Sequence, residues 1–213
     1  MPRLPLEEEI KNKAIIVCVD TALRFCIKYN VEPDFIVLTD PQYWAYKHID
    51  GIKSPSSILI TESAVYPSVF RFSCKKILCC KSNFPLEHYF DSFRSEKGTL
   101  VAGGSVASTA WNFAQYAGAS EIYVAGLDLA FVNKQTHIKG STFEQATHTT
   151  SKRIATAETS TIGYFVLSLE TLDLKSFIFF SSSTRSILLR TITCGNAETS
   201  SPYCLSSLFT ILK

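Results

Sequence analysis

Residues 14–20 read Ala-Ile-Ile-Val-Cys-Val-Asp, and this stretch decides the fold. An uninterrupted apolar run of this length, rich in β-branched side chains, is typical of a strand that is buried on both faces of a sheet. Asp20 ends the run, and the apolar residues that follow it have helical spacing: Ala22, Leu23, Cys26 and Ile27. The stretch therefore predicts a buried strand followed at once by a helix, which Asn30 is expected to stop.

The same alternation of strand and helix signals continues along the chain. Further strand signals lie at residues 34–39, 57–61, 75–80 and 121–126. The clearest helix signal follows Gly103-Gly104 and ends at Gly118, where a left-handed C-terminal cap is expected. Short strands joined by helices of about ten residues are typical of βαβ units. The sequence therefore predicts an α/β, Rossmann-like domain over residues 1–175, with a mainly parallel sheet and helices on both faces.

The chain changes character from Ser176 onwards. Residues 176–213 contain no Asp, one Glu and many Ser and Thr, and the regular periods are lost. This segment is expected to be a separate tail that is unfolded or adds one strand at residues 177–180.

Composition excludes several classes of protein. With 21 Lys and Arg against 19 Asp and Glu, the net charge of +2 favours neither a nucleic-acid partner nor an anionic membrane. No apolar window is long enough for a membrane span, and residues 1–13 carry no secretory signal. The seven cysteines are scattered without metal-ligand spacing, so we expect free thiols, no metal site and a cytoplasmic protein.

Candidate site residues follow the ends of the predicted strands, where ligands bind in open parallel sheets. Three acidic residues are expected at these strand ends: Asp20, Asp40 and Asp128. Acidic side chains in this position hydrogen-bond ribose hydroxyls or coordinate a divalent cation. Simpler roles stay open, because Asp20 is also a good helix N-cap and Asp40 precedes Pro41, as in many turns.

The turn Gly103-Gly104-Ser105 precedes the clearest helix, and the free N–H groups at a helix N-terminus suit a nucleotide phosphate. It is neither a Walker A loop nor a full Gly-x-Gly-x-x-Gly, so an ordinary loop-to-helix turn is the alternative. His137 and His148 are assigned to a polar loop after the fifth strand, as candidate bases or as solvated side chains. Trp44, with Tyr43 and Tyr46, either stacks on a base or pterin or packs internally.

Several short motifs resemble those of one known family. They are residues 14–23, Pro33-Asp-Phe-Ile-Val-Leu-Thr-Asp40-Pro41, Gly103-Gly-Ser-Val-Ala107, Gly126-Leu-Asp-Leu-Ala-Phe131, Thr136-His137 with Gly140, and Thr156-Ala-Glu158. In this order and spacing they resemble the MptE-like domain, which is shared by motility accessory factors (Maf flagellin glycosyltransferases) and archaeal 6-hydroxymethylpterin diphosphokinases. The resemblance covers about residues 10–160.

The resemblance implies a nucleotide-binding domain of a transferase. The motility branch, which the form of the first motif favours, transfers a nonulosonic acid from a CMP donor to Ser or Thr of flagellin. By this resemblance Gly104 and Ser105 would contact the CMP phosphate, and Asp20 and Asp40 would line the nucleotide cleft. Gly103 and Asp128 are also expected to be nucleotide-binding, and His137 or His148 would be the base. A CMP-sugar and flagellin are then the expected partners.

Two alternatives and two departures accompany this assignment. A pterin diphosphokinase would use ATP with Mg²⁺ on Asp20 and Asp40, and a non-catalytic remnant would show no transfer at all. Family members carry a further strand and a Gly-x-Gly-Pro-Ser-Leu phosphate loop where this chain reads Met-Pro-Arg-Leu-Pro-Leu, so a truncated domain is expected. Residues 176–213 do not resemble the family and are consistent with a shifted reading frame.

Overall fold

The computed structural model describes residues 14–82, 84–94, 96–101, 104–126 and 140–157, together with the backbone of two short strands at 190–191 and 209–212. The described strands are β1 (Ile15–Val19), β2 (Phe35–Leu38), β3 (Lys53–Glu62), β4 (Ser73–Cys80), β5 (Ile122–Ala125), β6 (Arg190–Thr191) and β7 (Phe209–Leu212). The helices are α1 (Asp20–Lys28), α2 (Tyr43–Ile49), α3 (Pro85–Asp91), α4 (Val106–Tyr116) and α5 (Thr142–Thr150), with a 3-10 helix at Pro67–Arg71.

The strands form one sheet in the order β4-β3-β2-β1-β7-β5-β6. Strands β1 to β4 are parallel neighbours, so their carboxyl ends share one edge of the sheet. Strand β7 is antiparallel to both β1 and β5, and β5 therefore runs in the same direction as β1. The predicted α/β fold with a mainly parallel, Rossmann-like sheet is confirmed.

Helices α1 and α4 cover opposite faces of β1 and β2. The Sγ atom of Cys18 lies 3.4 Å from that of Cys26, which places α1 on the face to which Cys18 points. Phe35, the register partner of Val17, contacts Phe113 of α4 with ring centroids 5.0 Å apart. Successive residues of a strand point to opposite faces, so the predicted helices on both faces are confirmed for this part of the sheet.

The core lies between these two helices and the central strands. The side chains of Leu23, Ile36 and Leu59 are fully buried there, and each such side chain contributes about 1.5–3 kcal/mol by leaving water. The predicted helix ends are also found: Asn30 after α1 and Gly118 after α4 have φ values of 60° and 86°. Both residues therefore adopt the left-handed conformation that terminates a helix.

Strand β3 is ten residues long, whereas the sequence predicts only residues 57–61. The shorter prediction is wrong because two buried positions of the strand are polar. Ser54 and Ser57 are both fully buried, their hydroxyls lie 2.6 Å apart, and Ser57 also donates to the carbonyl of Pro33. Buried serines that form a hydrogen bond with each other interrupt the apolar sequence pattern, but the strand continues through them.

The part of the chain after residue 176 contributes β6 and β7 to the sheet. Residues 177–180, where the sequence predicts one more strand, lie outside the described residues. The boundary near residue 175 and the expected truncation stay predictions. Across the described segments, no helix is both long enough and apolar enough to cross a membrane.

Candidate functional site

Three acidic residues follow neighbouring parallel strands at the carboxyl edge of the sheet. Asp20 comes directly after β1, Asp40 lies two residues beyond β2, and Glu62 is the last residue of β3. The register of the pairs Val19–Val37 and Leu38–Thr61 aligns these strand ends. The structure therefore brings Asp20 and Asp40 to the same edge, as the strand pattern predicts.

Asp20 is buried, with 3% of its surface exposed, and its Oδ1 has no hydrogen-bond partner among the described residues. The N-cap of α1 is Val19 and no side chain caps this helix end, so Asp20 is not the N-cap that the simpler interpretation required. Burial raises the pKa of Asp20 to about 7, with a further contribution from Asp40, while the backbone N–H groups of Thr21 and Asp20 oppose the shift.

Asp40 is half-buried and has an ordinary structural role as well. Its Oδ1 accepts a hydrogen bond of 2.9 Å from the N–H of Gln42, which opens the turn into α2. The charge of Asp40 nevertheless raises the pKa of Asp20, so the two carboxyl groups interact electrostatically. A carboxyl group that is part protonated near neutral pH both donates and accepts hydrogen bonds, which suits a ribose hydroxyl.

The N-terminus of α4 lies at the same edge of the sheet. Thr99 pairs parallel to the end of β4 at Lys81. The segment around it passes α4 in reverse order, because Gly98 lies against the hydroxyl of Tyr116 and the N–H of Val101 donates to Asn112 Oδ1. The helix therefore runs antiparallel to the strands and begins towards their carboxyl ends. Gly104 has a φ of +84° and Ser105 is the N-cap, accepting a bond of 3.3 Å from the N–H of Ser108. The simpler loop-to-helix role is thus present, and Gly103 lies outside the described residues.

His148 does not lie in a loop, which corrects the sequence-based assignment. It is on α5, with its side chain 60% exposed and its Nε2 3.6 Å from Glu144 Oε1. The beginning of α5 contacts α2, since Thr142 Oγ1 donates to the carbonyl of Lys47. No described contact joins His148 to Asp20, Asp40 or Ser105, and His137 and Asp128 lie outside the described residues.

A second cluster of charges, which sequence reasoning missed, lies at the carboxyl ends of β3 and β4. Lys97 Nζ is 2.8 Å from Ser63 Oγ and 2.7 Å from both Glu87 Oε1 and Asp91 Oδ1. Burial lowers the pKa of Lys97, but the hydrogen bonds that its ammonium donates to Asp91 and Glu87 outweigh burial and raise it. The sequence carries no signal for this cluster because Lys97 and Ser63 are 34 residues apart.

Aromatic side chains follow Asp40 on α2. Tyr43 and Trp44 are 44% and 46% exposed, and their rings meet edge to face with centroids 5.8 Å apart. Tyr46 and Tyr66 are half-buried and stack on each other behind Tyr43, with centroids 5.4 Å apart. The inner pair of rings, Tyr46 and Tyr66, therefore packs internally. The outer pair, Tyr43 and Trp44, is exposed to solvent.

Neither the carboxylates nor the cysteines form a metal centre in the part of the chain that the structure describes. No group of three or more His, Cys, Asp or Glu could hold an ion there. Cys18, Cys26 and Cys80 are free and buried, and burial raises the pKa of Cys80 to about 12. A thiol with such a pKa is a poor nucleophile at neutral pH, so Cys80 is a core residue.

Comparison with known proteins identifies one family and two relatives. The family model described as 6-hydroxymethylpterin diphosphokinase MptE-like matches residues 3–134. Two uncharacterized proteins of Treponema pallidum (strain Nichols) are 40% identical over 144 residues and 31% identical over 115 residues. The matched parts are 62% and 54% of this chain but only 37% and 26% of those relatives. No solved structure matches. The match over more than half of its length shows that this chain belongs to the MptE-like family.

Proposed function

We propose that this chain is the nucleotide-binding part of a glycosyltransferase of the motility accessory factor type. It binds a CMP-activated nonulosonic acid and transfers the sugar to a Ser or Thr hydroxyl of flagellin. The observation that carries the proposal is the buried carboxyl group of Asp20, whose Oδ1 has no hydrogen-bond partner among the described residues, near Asp40 at the carboxyl edge of the sheet. A buried ionisable group with a shifted pKa in this position is typical of a ligand site.

The donor would be held at two points. The ribose hydroxyls would bond to Asp20 and Asp40, and the phosphate would lie over the first turn of α4, where Gly104 leaves the backbone accessible. An added Cβ at Gly104 would meet nothing within 4 Å, so this bend has open space beside it. Ser105 already caps Ser108 N–H, which leaves the remaining N–H groups of the first turn for an anion.

Transfer would require a base for the acceptor hydroxyl. The oxygen of that hydroxyl forms the new bond to the anomeric carbon, CMP leaves with the electron pair of the broken bond, and the base takes the proton. His148 is exposed and lies beside Glu144, which would orient its imidazole ring. His137 remains the other candidate for this role.

A second candidate is pyrophosphoryl transfer from ATP to a hydroxymethylpterin. The description of the matching family favours it, and two neighbouring carboxylates are suitable ligands for Mg²⁺. This candidate needs Mg²⁺ for tight binding of ATP, whereas CMP binding at ribose hydroxyls and a helix N-terminus needs none. Binding measured with EDTA and with Mg²⁺ therefore separates the two functions.

Calorimetric titration of the full chain tests the proposal. We expect CMP to bind in EDTA, and Asp40→Asn to weaken the binding about 10- to 100-fold, because hydrogen bonds to charged groups contribute about 1.5–3 kcal/mol. Glu121→Gln is the matched control. Glu121 precedes β5, at the opposite edge of the sheet, and its Oε2 accepts a bond from Tyr123. Binding of ATP only with Mg²⁺ would support the second candidate, and no binding of either nucleotide would contradict both.

A further inference from the structure

We propose that Trp44 and Tyr43 form a stacking platform for the nucleobase of the bound nucleotide. This inference rests on the proposed function, because it places the base relative to a ribose that Asp20 and Asp40 hold. It adds a subsite that recognises the planar heteroaromatic ring of the donor. The proposal is based on the exposed indole of Trp44, which is the fourth residue after Asp40. The indole contacts the ring of Tyr43, which in turn packs on Tyr66.

The two outer rings are exposed, as several other aromatic rings of the described chain are, and their position just after Asp40 distinguishes them. Trp44 and Tyr43 leave 46% and 44% of their surfaces in water, while their neighbours on the same helix, Ala45 and Ile49, are buried. Large aromatic side chains gain most of their stabilising energy from burial, so a pair left outside the core next to a candidate site is typical of a binding surface.

The inner rings hold this pair in place. Tyr43 meets Tyr66 edge to face with centroids 5.2 Å apart, and Tyr66 stacks on Tyr46. Lys47 Nζ lies 5.6 Å from the centre of the Tyr43 ring and is fixed by a 2.6 Å ion pair with Asp50. Because Tyr43 contacts Tyr66 and Lys47 as well as Trp44, it supports the indole at its edge.

The position of the platform fits a base rather than a phosphate or a sugar. Trp44 is the fourth residue after Asp40, a distance of at most about 14 Å along the chain, and the turn at Gln42 shortens it. In a nucleoside the base is bonded to the carbon next to the one that carries the 2′ hydroxyl. A ribose held at Asp40 therefore has its base within reach of the first turn of α2, and every nucleobase has a π face that stacks on an aromatic ring.

A pair of ligands that differ only in the base tests the inference. CMP and ribose 5-phosphate are titrated against the full chain and against Trp44→Ala. We expect the Kd for CMP to rise about tenfold or more in the variant, while the Kd for ribose 5-phosphate stays the same. Trp44→Phe should retain most of the affinity for CMP. Phe93→Ala is the matched control, because Phe93 is 73% exposed and lies just beyond α3.

A spectroscopic measurement gives a second readout. The chain has two tryptophans, so in Trp111→Phe the emission comes from Trp44 alone, and stacking of the cytosine should quench it. If Trp44→Ala leaves CMP affinity unchanged, or weakens CMP and ribose 5-phosphate equally, the platform is wrong although the nucleotide site stands. If wild-type chain binds neither ligand, the proposed function fails and the platform with it.

Discussion

Two clusters of carboxyl groups lie at the same edge of the sheet and differ in one respect. At the ends of β3 and β4, Glu87 and Asp91 surround Lys97, whose ammonium group reaches both carboxylates and Ser63. At the ends of β1 and β2, Asp20 lies near Asp40. The pKa of Asp20 is raised by burial and by the charge of Asp40, and no cation among the described residues lowers it. A cation compensates the carboxylates of the first cluster, while no cation acts on Asp20 among the described residues.

The difference separates a structural cluster from a candidate site. Burying a carboxylate is costly, and a lysine at 2.7 Å offsets that cost and fixes the geometry of α3. Glu87 Oε2 also lacks a partner, but its charge is compensated through Oε1. Asp20 has no such compensation, so its protonation changes near neutral pH and its burial lowers stability. A ligand that bonds to it would recover part of that cost.

The largest expected effect is a gain of stability in Asp20→Asn. Because the pKa of Asp20 is raised from 3.8 to about 7, the folded chain binds this proton more tightly than the unfolded chain does. The stability of the wild type should therefore fall as pH rises from about 4 to 7, by up to about 4 kcal/mol. The amide carries no charge, so the variant should lose this pH dependence and be the more stable protein at pH 8.

Urea unfolding of both proteins between pH 4 and pH 8 measures this effect. Glu121→Gln, at an exposed position on the opposite edge, should keep the wild-type pH dependence. The opposite result would be a wild-type stability that rises from pH 4 to 7, with Asp20→Asn less stable than the wild type at pH 8. It would show that the fold stabilises the charged form of Asp20.

The next largest effect is a loss of stability in Lys97→Met. Removal of the ammonium leaves Glu87 and Asp91 buried without compensation, and breaking a buried pair in this way costs about 3 kcal/mol. The urea midpoint at pH 7 measures the loss. Equal stability of the variant and the wild type would mean that this cluster contributes no more to the free energy of unfolding than a surface ion pair does.

The smallest effect is expected at Lys47→Met. Lys47 forms an ion pair of similar length, 2.6 Å, with Asp50, but the two side chains are 33% and 37% exposed. Solvent screens such a pair, so the urea midpoint of Lys47→Met should stay close to that of the wild type. The contrast with Lys97→Met then comes from burial and from the second carboxylate that Lys97 contacts. A large loss of stability in Lys47→Met would contradict this explanation.

Sequence patterns predict one half of this comparison and not the other. The run of residues 14–19 and the acid after it place Asp20 at a strand end, because a buried parallel strand has a continuous apolar pattern. The partners of Lys97 come from two separate segments, the end of β3 and α3, and only the folded chain brings them together. Local patterning carries no information about such contacts, and the same holds for the stacking of Tyr46 on Tyr66.

The assignment of His148 to a loop failed for a different reason. Residues 142–150 are rich in Thr, which lowers helix propensity, and they lack a continuous apolar face. A signal was nevertheless present, because Ser141 and Glu144 have the spacing of a capping box. In the structure Ser141 Oγ accepts from the N–H of Glu144, and the Glu144 carboxylate accepts from the N–H of Gly140.

The most direct test of the central claim is an NMR titration of the Asp20 side-chain carboxyl carbon, with and without cytidine. We predict a pKa near 7 in the free chain and a lower value with cytidine, because a ribose hydroxyl that donates to the carboxylate stabilises its charged form. A pKa close to 3.8 that does not move when cytidine is added would contradict the account.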